Sequence, residues 1–391
     1  MFKLDGFANV PQSQVIKQTG SRFTQSPSDC LAEIRNFPTF MGCVDSSPAT
    51  DKFADMWWLK SSERAPVVVE PVLPSEYIYL SNHNDAVGGL WRNHHQFFGE
   101  YVAKQMVGNS VYEVGGAHGL AAISASRERE ILWTIHDINP TPDPMYIGDL
   151  VEGTFTQESA QLRPGCITVA HSHTLEHVHE PAKFIEDIAR VLPIGGRQVI
   201  SWPNMRKMLE RGDLNFLNFE HTTYLPEELV VRLLQQKGFR VVDIEYFKGH
   251  SIFLTAEKIT AVQDVPLIYN SSEDIALFQF YFEGLLDKVR RFNEALANHV
   301  GPRYVFGAHV FTQMLIAAGL DQSLLNGCLD NSALKSGKRL YGTELYSIQP
   351  SHEILALVEN QAMVVMAIAE YADEVKQQLR SLSGGKCDIV E

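Results

Sequence analysis

The apolar run 110–114 ends in Glu113-Val114-Gly115-Gly116-Ala117-His118-Gly119, and a stretch with helical spacing, 120–129, follows directly. A strand that turns through glycines into a helix is a βα unit, which commits the chain to a parallel sheet with helices on its faces. Gly115 and Gly119 let the backbone turn tightly, so a ligand can lie against bare main chain where the helix begins. The spacing is E-x-G-x-x-x-G. It is neither the dinucleotide pattern G-x-G-x-x-G nor a Walker loop, because no Lys-Ser/Thr follows.

The same alternation continues downstream. Strands are expected at 131–135, 166–170, 198–201, 240–246 and 251–257, with helices at 182–191 and 226–237. A loop-like stretch at 260–270 reads as a boundary. Beyond it, 274–299 has the pattern of a long amphipathic helix. A second αβ block follows, with strands at 304–306, 324–329 and 362–368 and helices at 310–318 and 371–380. Residues 1 to about 70 read as irregular, apart from a strand at 67–69. With 391 residues, two or three domains are expected. The expected division is an N-terminal lobe over 1–75, a central domain over 76–260 with a leading Tyr/His-rich helix, and a C-terminal helix plus nucleotide-fold domain over 261–391.

Composition narrows the partners. Lys and Arg number 33 against 47 Asp and Glu, a net charge of −14. Such a chain repels phosphate backbones and anionic bilayers, so neither nucleic acid nor membrane is an expected partner, while a local basic site for a small anion stays open. No charged-then-apolar leader is seen at the first residues, and the apolar stretch 362–369 is far shorter than the roughly 20 residues of a spanning helix. Cys30, Cys43, Cys166, Cys328 and Cys387 are odd in number and contain no C-x-x-C, which fits free thiols in a reducing cytoplasm.

Asp137 closes the strand after the glycine loop, where a carboxylate can accept from both ribose hydroxyls of a nucleoside, with Ile138 beside it. Asp149-Leu150 is placed where the next loop meets an adenine edge. The competing reading is a tight αβ turn with two solvated acids. Further on, Ala170-His171-Ser172-His173-Thr174-Leu175-Glu176-His177-Val178-His179-Glu180-Pro181 contains H-x-x-E-H, an inverted zinc-protease pattern. Zinc would require both histidines on one helix face. A preceding strand and a Pro four residues after His177 make a strand end and loop the expectation instead.

At these residues the chain resembles the class I S-adenosylmethionine-dependent methyltransferases, which carry a similar SHxLEHxxxP…F…RxLxxGG stretch. Phe184, Leu192 and Gly195-Gly196 continue the match here. The resemblance implies a Rossmann-like domain binding S-adenosylmethionine and releasing S-adenosylhomocysteine. Its cofactor residues would be Glu113, Gly115, Gly116, Gly119, Asp137, Ile138, Asp149, Leu150, His171 and His173, with packing as the competing role of His171.

The likeness extends to the three-part sugar C-methyltransferases, whose HEH segment is matched by Asn218-Phe219-Glu220-His221 without its leading His. This implies His221 as base with Glu220 beside it; the competing role is a structural His at the loop. The tyrosine-rich run 77–85 carries Tyr79 over as a catalytic residue, with Tyr77, His83 and Asn84 on the substrate. His309, Lys335 and Lys338 would hold a nucleotide diphosphate, unless the lysines are simply solvated. That family's N-terminal lobe binds zinc through closely spaced cysteines. Here only Cys30 and Cys43 are available, and adding His83 or His94 gives no standard spacing, so zinc, or any other metal, is not expected. The implied substrate is a nucleotide-linked keto sugar; an O- or N-methyltransferase and an inactive cofactor-binding or assembly protein are the alternatives. Oligomerisation stays open.

Overall fold

The computed structural model describes residues 1–8, 10–16, 30–60, 66–80, 88–261, 269, 272–351 and 361–391. His83 and Asn84 lie outside the described residues. The N-terminal region contains β1 (Phe2–Leu4), β2 (Cys30–Pro38), β3 (Cys43–Val44), β4 (Phe53–Lys60) and β5 (Val67–Glu70). Four of them form a sheet in the order β1-β2-β4-β5, which corrects the irregular lobe expected above. Along β2 and β4, Ala32, Ile34, Ala54, Met56 and Trp58 are buried while Glu33, Arg35 and Asp55 turn outward. Register shifts between Cys30/Ala32 and Ile34/Phe37 break this two-residue period, so the pattern is lost to a linear reading.

After a single turn, α1 (Ser75–Ile78), comes the central layer. It comprises α2 (Gly89–Gln105), β6 (Ser110–Val114), α3 (Leu120–Glu128), β7 (Leu132–Asp137), β8 (Asp149–Glu152), β9 (Thr168–Ser172), α4 (Pro181–Val191), β10 (Arg197–Pro203), α5 (Met205–Arg211), α6 (Glu227–Gln236), β11 (Phe239–Phe247) and β12 (Ser251–Lys258). The sheet order is β11-β12-β10-β9-β6-β7-β8. β6 to β10 run parallel, and β12 returns antiparallel to β10. Pro181 at the first position starts α4, whose Phe184, Ile185 and Ile188 are buried against the sheet. From β6 the chain moves one way to β7 and β8, then crosses to β9 and β10 on the other side. The switch point therefore lies between β6 and β9, and the crevice at their carboxyl ends is where such sheets bind ligands.

A second parallel sheet follows α7 (Ser272–Asn298). The elements of this region are β13 (Arg303–Phe306), α8 (Val310–Ala317), β14 (Gly327–Leu329), β15 (Arg339–Leu340), which lies outside that sheet, β16 (Ser347–Ile348), β17 (Met363–Met366), α9 (Ala372–Ser383) and β18 (Asp388–Val390). The sheet order, β16-β14-β13-β17-β18, switches at β13. One apolar core joins the three regions: Trp58 of β4 packs on Phe216 and on Phe278, Tyr281 and Phe282 of α7, with ring centroids 4.9 to 6.0 Å apart. β3 pairs with β15, and beside them the buried Arg339 holds Asp51 through two hydrogen bonds of 2.7 and 2.8 Å. No helix among the described residues is long and apolar enough to cross a membrane, and the five cysteines form no disulfide.

Candidate active site

The carboxyl ends of both parallel sheets open onto one cavity of about 430 Å³. Its wall includes the glycine loop, the segment after β9, the stretch before α6 and the turns after β13 and β14.

The loop is shaped by what lies under it. Gly115 has φ +74°, and a Cβ there would fall 2.4 Å from the Thr174 hydroxyl. Gly119, at φ +71°, caps α3 in the left-handed region. Glu113 is buried below the loop and accepts from the Trp133 indole at 2.8 Å. Burial pushes its carboxyl up to about 7. A Cβ on Gly116 would meet that carboxylate at 2.8 Å, so only bare main chain fits over it. Asp137 stands outside the cavity wall, but its carboxylate is held against the loop by the Ala117 and Asn139 amides at 3.0 and 2.8 Å. Each oxygen keeps a lone pair for a further donor.

Other expected cofactor residues are not brought here. Asp149 begins β8 opposite Thr134, and Leu150 faces Ile135; Glu152, opposite Asp137, is the residue at the carboxyl edge. The Asp149 carboxylate pairs with Arg163 at 2.5 Å, and Ile138 is 71% exposed away from the cavity. The register of β8 thus puts Asp149 three residues and Leu150 two residues short of the edge that sequence distance alone suggests. His171 is also displaced. It is fully buried, with its ring on Phe184 at 5.2 Å and its Nε2 accepting from Gln198 at 2.9 Å, and burial lowers its pKa to about 3. It is a core residue under α4.

His173, by contrast, lines the cavity in a left-handed conformation at φ +48°. β9 ends at Ser172 and a single 3-10 turn, Leu175–His177, follows, so His173 and His177 do not share a helix face. The protease geometry is absent, but the turn has a different result. His173 Nδ1 meets Glu176 Oε1 at 2.9 Å, and His177 Nε2 meets His221 Nε2 at 3.3 Å. Donor atoms of Glu176, His177 and His221 lie within 4.8 Å of one another. The sequence reading, which expected no metal, missed this grouping because His221 is 44 residues from His177.

His221 is fixed from behind. Its Nδ1 lies 3.0 Å from the Asn215 carbonyl, which can only accept, so the neutral ring carries its proton on Nδ1 and offers Nε2 as acceptor. The Asn218 side chain accepts from the Glu220 and His221 amides at 2.8 and 3.0 Å and holds the loop, and Glu220 and His221 both line the cavity. Tyr79 reaches His177 Nδ1 at 3.4 Å, and its desolvated hydroxyl, near Glu220 and Glu176, is held above the usual phenol range. Tyr77 is not part of the wall.

On the far side, His309 and Lys335 line the cavity and Lys338 does not. Lys338 lies 3.8 Å from Asp45 instead. Lys335 lies 3.2 Å from Asp330, whose carboxylate also accepts from the Ala308 amide at 2.9 Å, so its charge is already balanced. Trp91, His95, His250 and Arg211 complete the wall without having been singled out as site residues. Only the run Trp91-Arg92-Asn93-His94-His95 gave a hint in sequence. Arg211 is held by Asp213 and by Glu370 at 2.6 and 2.5 Å.

Residues 85–244 match a family described as a methyltransferase domain. The central region of this chain is therefore a class I S-adenosylmethionine-dependent methyltransferase-like domain, with further N- and C-terminal α/β elements. Among solved structures, the complex between the Haloferax volcanii Trm112 methyltransferase activator and a methyltransferase aligns at 12% identity, over 43% of this chain and 92% of that one, with a TM-score of 0.36. The [4+2]-cyclase SpnF aligns at 16% identity over 46% and 86% of the two chains, TM-score 0.34. An S-adenosylmethionine-dependent methyltransferase from Mesorhizobium loti aligns at 11% identity over 41% and 97%, TM-score 0.31. No curated protein matches the chain.

Proposed function

We propose that the protein transfers a methyl group from S-adenosylmethionine to a carbon of a nucleotide-linked keto sugar. The observation that carries this reading is the shared cavity: the glycine loop, the His177–His221 pair and the carboxyl end of a second parallel sheet all line one space. The loop suits the cofactor. Its glycines let bare main chain pack down on Glu113, where a Cβ at Gly116 would strike the carboxylate, and Asp137 offers lone pairs beside it. Glu113, Gly115, Gly116, Gly119 and Asp137 would hold the cofactor, and Glu152 replaces Asp149 as the acid at the sheet edge. When bound, S-adenosylmethionine supplies a methyl group already activated by a sulfonium.

His221 takes a proton from the carbon beside the keto group at Nε2, and the Asn215 carbonyl stabilises the resulting imidazolium through Nδ1. His177 Nε2 lies 3.3 Å from the same nitrogen, with Tyr79 behind it at Nδ1, so the substrate carbon displaces His177 before that lone pair takes a proton. The single Tyr79 proton, aimed at His177 Nδ1 in the free protein, turns to the oxyanion that develops on the acceptor. The second sheet holds the nucleotide at His309 and the turn after β14, and binding both reactants in one cavity aligns them. The three regions 1–75, 76–260 and 261–391 act as lobe, cofactor domain and substrate domain.

The test is turnover on a panel of keto-sugar nucleotides with wild type and His221→Ala. The variant is expected to lose about 10²–10⁴ of the rate while keeping S-adenosylhomocysteine binding. A product methyl proton resonating as C-CH₃ supports carbon transfer. A methoxy or N-methyl signal replaces it with the O- or N-transfer reading, and cofactor binding without turnover on the panel supports a binding protein.

A further inference from the structure

We propose that Glu176, His177 and His221 form a binding site for a divalent transition-metal ion of the zinc class. Four observations carry it. The three donor groups lie within 4.8 Å of one another on the cavity wall. The two imidazole Nε2 atoms are 3.3 Å apart, long for a hydrogen bond. It is also close to the separation of about 3.3 Å expected for two nitrogens bound at 2.0–2.1 Å to one tetrahedral ion. Glu176 is 1% exposed, and its Oε2 has no hydrogen-bond partner, a cost that a cation would remove.

Fourth, each ligand already has an outer partner. His173 holds Glu176 Oε1 at 2.9 Å, the Asn215 carbonyl holds His221 Nδ1 at 3.0 Å, and Tyr79 meets His177 Nδ1 at 3.4 Å. Such partners orient metal ligands. Two imidazoles and one carboxylate suit zinc, cobalt or iron(II) rather than magnesium or calcium, and three protein ligands leave a position open to the cavity. Binding uses the lone pair that His221 offers as a base, so the ion is an alternative occupant of the pair.

The experiment titrates cobalt(II) into the chelator-treated full-length protein, following visible absorption, and then displaces it with zinc. Glu176→Gln and His177→Gln are measured in parallel, with S-adenosylhomocysteine calorimetry and circular dichroism on every sample. One cobalt per chain, displaced by zinc and weakened at least about tenfold in both variants, is the expected result. Absence of binding, binding in both variants as tight as in the wild type, or a thiolate-to-cobalt charge-transfer band overturns the site. Because the nucleoside is titrated separately, loss of the metal site leaves the methyltransferase reading standing, and its failure leaves the metal site standing.

Discussion

At His221 the working nitrogen is chosen by a neighbour: the Asn215 carbonyl fixes a proton on Nδ1, so chemistry is left to Nε2. His171, five residues from the nearest proposed metal ligand, has the opposite character. Its pKa is lowered from 6.5 to about 3 by burial, so it stays neutral in the fold when the unfolded chain has already bound a proton. Its contribution to stability is present above pH 6.5 and is lost as pH falls from 6.5 toward 3, at about 1.4 kcal/mol per pH unit. His171→Leu is expected to flatten the acid limb of a stability-against-pH curve by about that slope; an unchanged slope contradicts the burial argument. The two histidines also differ in how far sequence reveals them. His221 stands in a motif, whereas His171 shares its motif with His173, and it is the end of β9 at Ser172 and the left-handed turn at His173, φ +48°, that leave the first in the core and turn the second to the cavity.

Elements differ in legibility for a similar reason. α4 is visible from Pro181 and its helical spacing, and the strand–glycine–helix unit at 110–129 needs only local pattern. The N-terminal sheet is hidden by the shifts in β2, and β8 carries no residue that marks its register, so sequence does not show that Glu152 rather than Asp149 stands at the edge. α7 was legible as a helix, but its partner was not, because the contact with Trp58 joins residues more than 200 positions apart. Phe282 is fully buried there, 4.9 Å from Trp58 and 5.1 Å from Phe2. Phe282→Ala is expected to cost about 3–5 kcal/mol, read as a lower denaturant midpoint at unchanged m-value. A loss under about 1 kcal/mol would show that α7 is not what the N-terminal sheet rests on.

Across the whole molecule, two parallel sheets point their switch points at one cavity, and the N-terminal sheet is tied to the second of them by β3, β15 and the Arg339–Asp51 pair. Arg339→Met leaves the Asp51 carboxylate buried without its partner, and is expected to destabilise the protein by about 3–5 kcal/mol. Adding Asp51→Asn should recover part of that loss in equilibrium denaturation, and no recovery would mean that the pair is not the link. The central claim is that the glycine loop with Asp137 binds the methyl donor. Calorimetric titration with S-adenosylhomocysteine tests it most directly: the account predicts saturable binding to the wild type, weakened by about 1–3 kcal/mol in Asp137→Ala, whereas no binding to the wild type, or equal binding to both proteins, would contradict it.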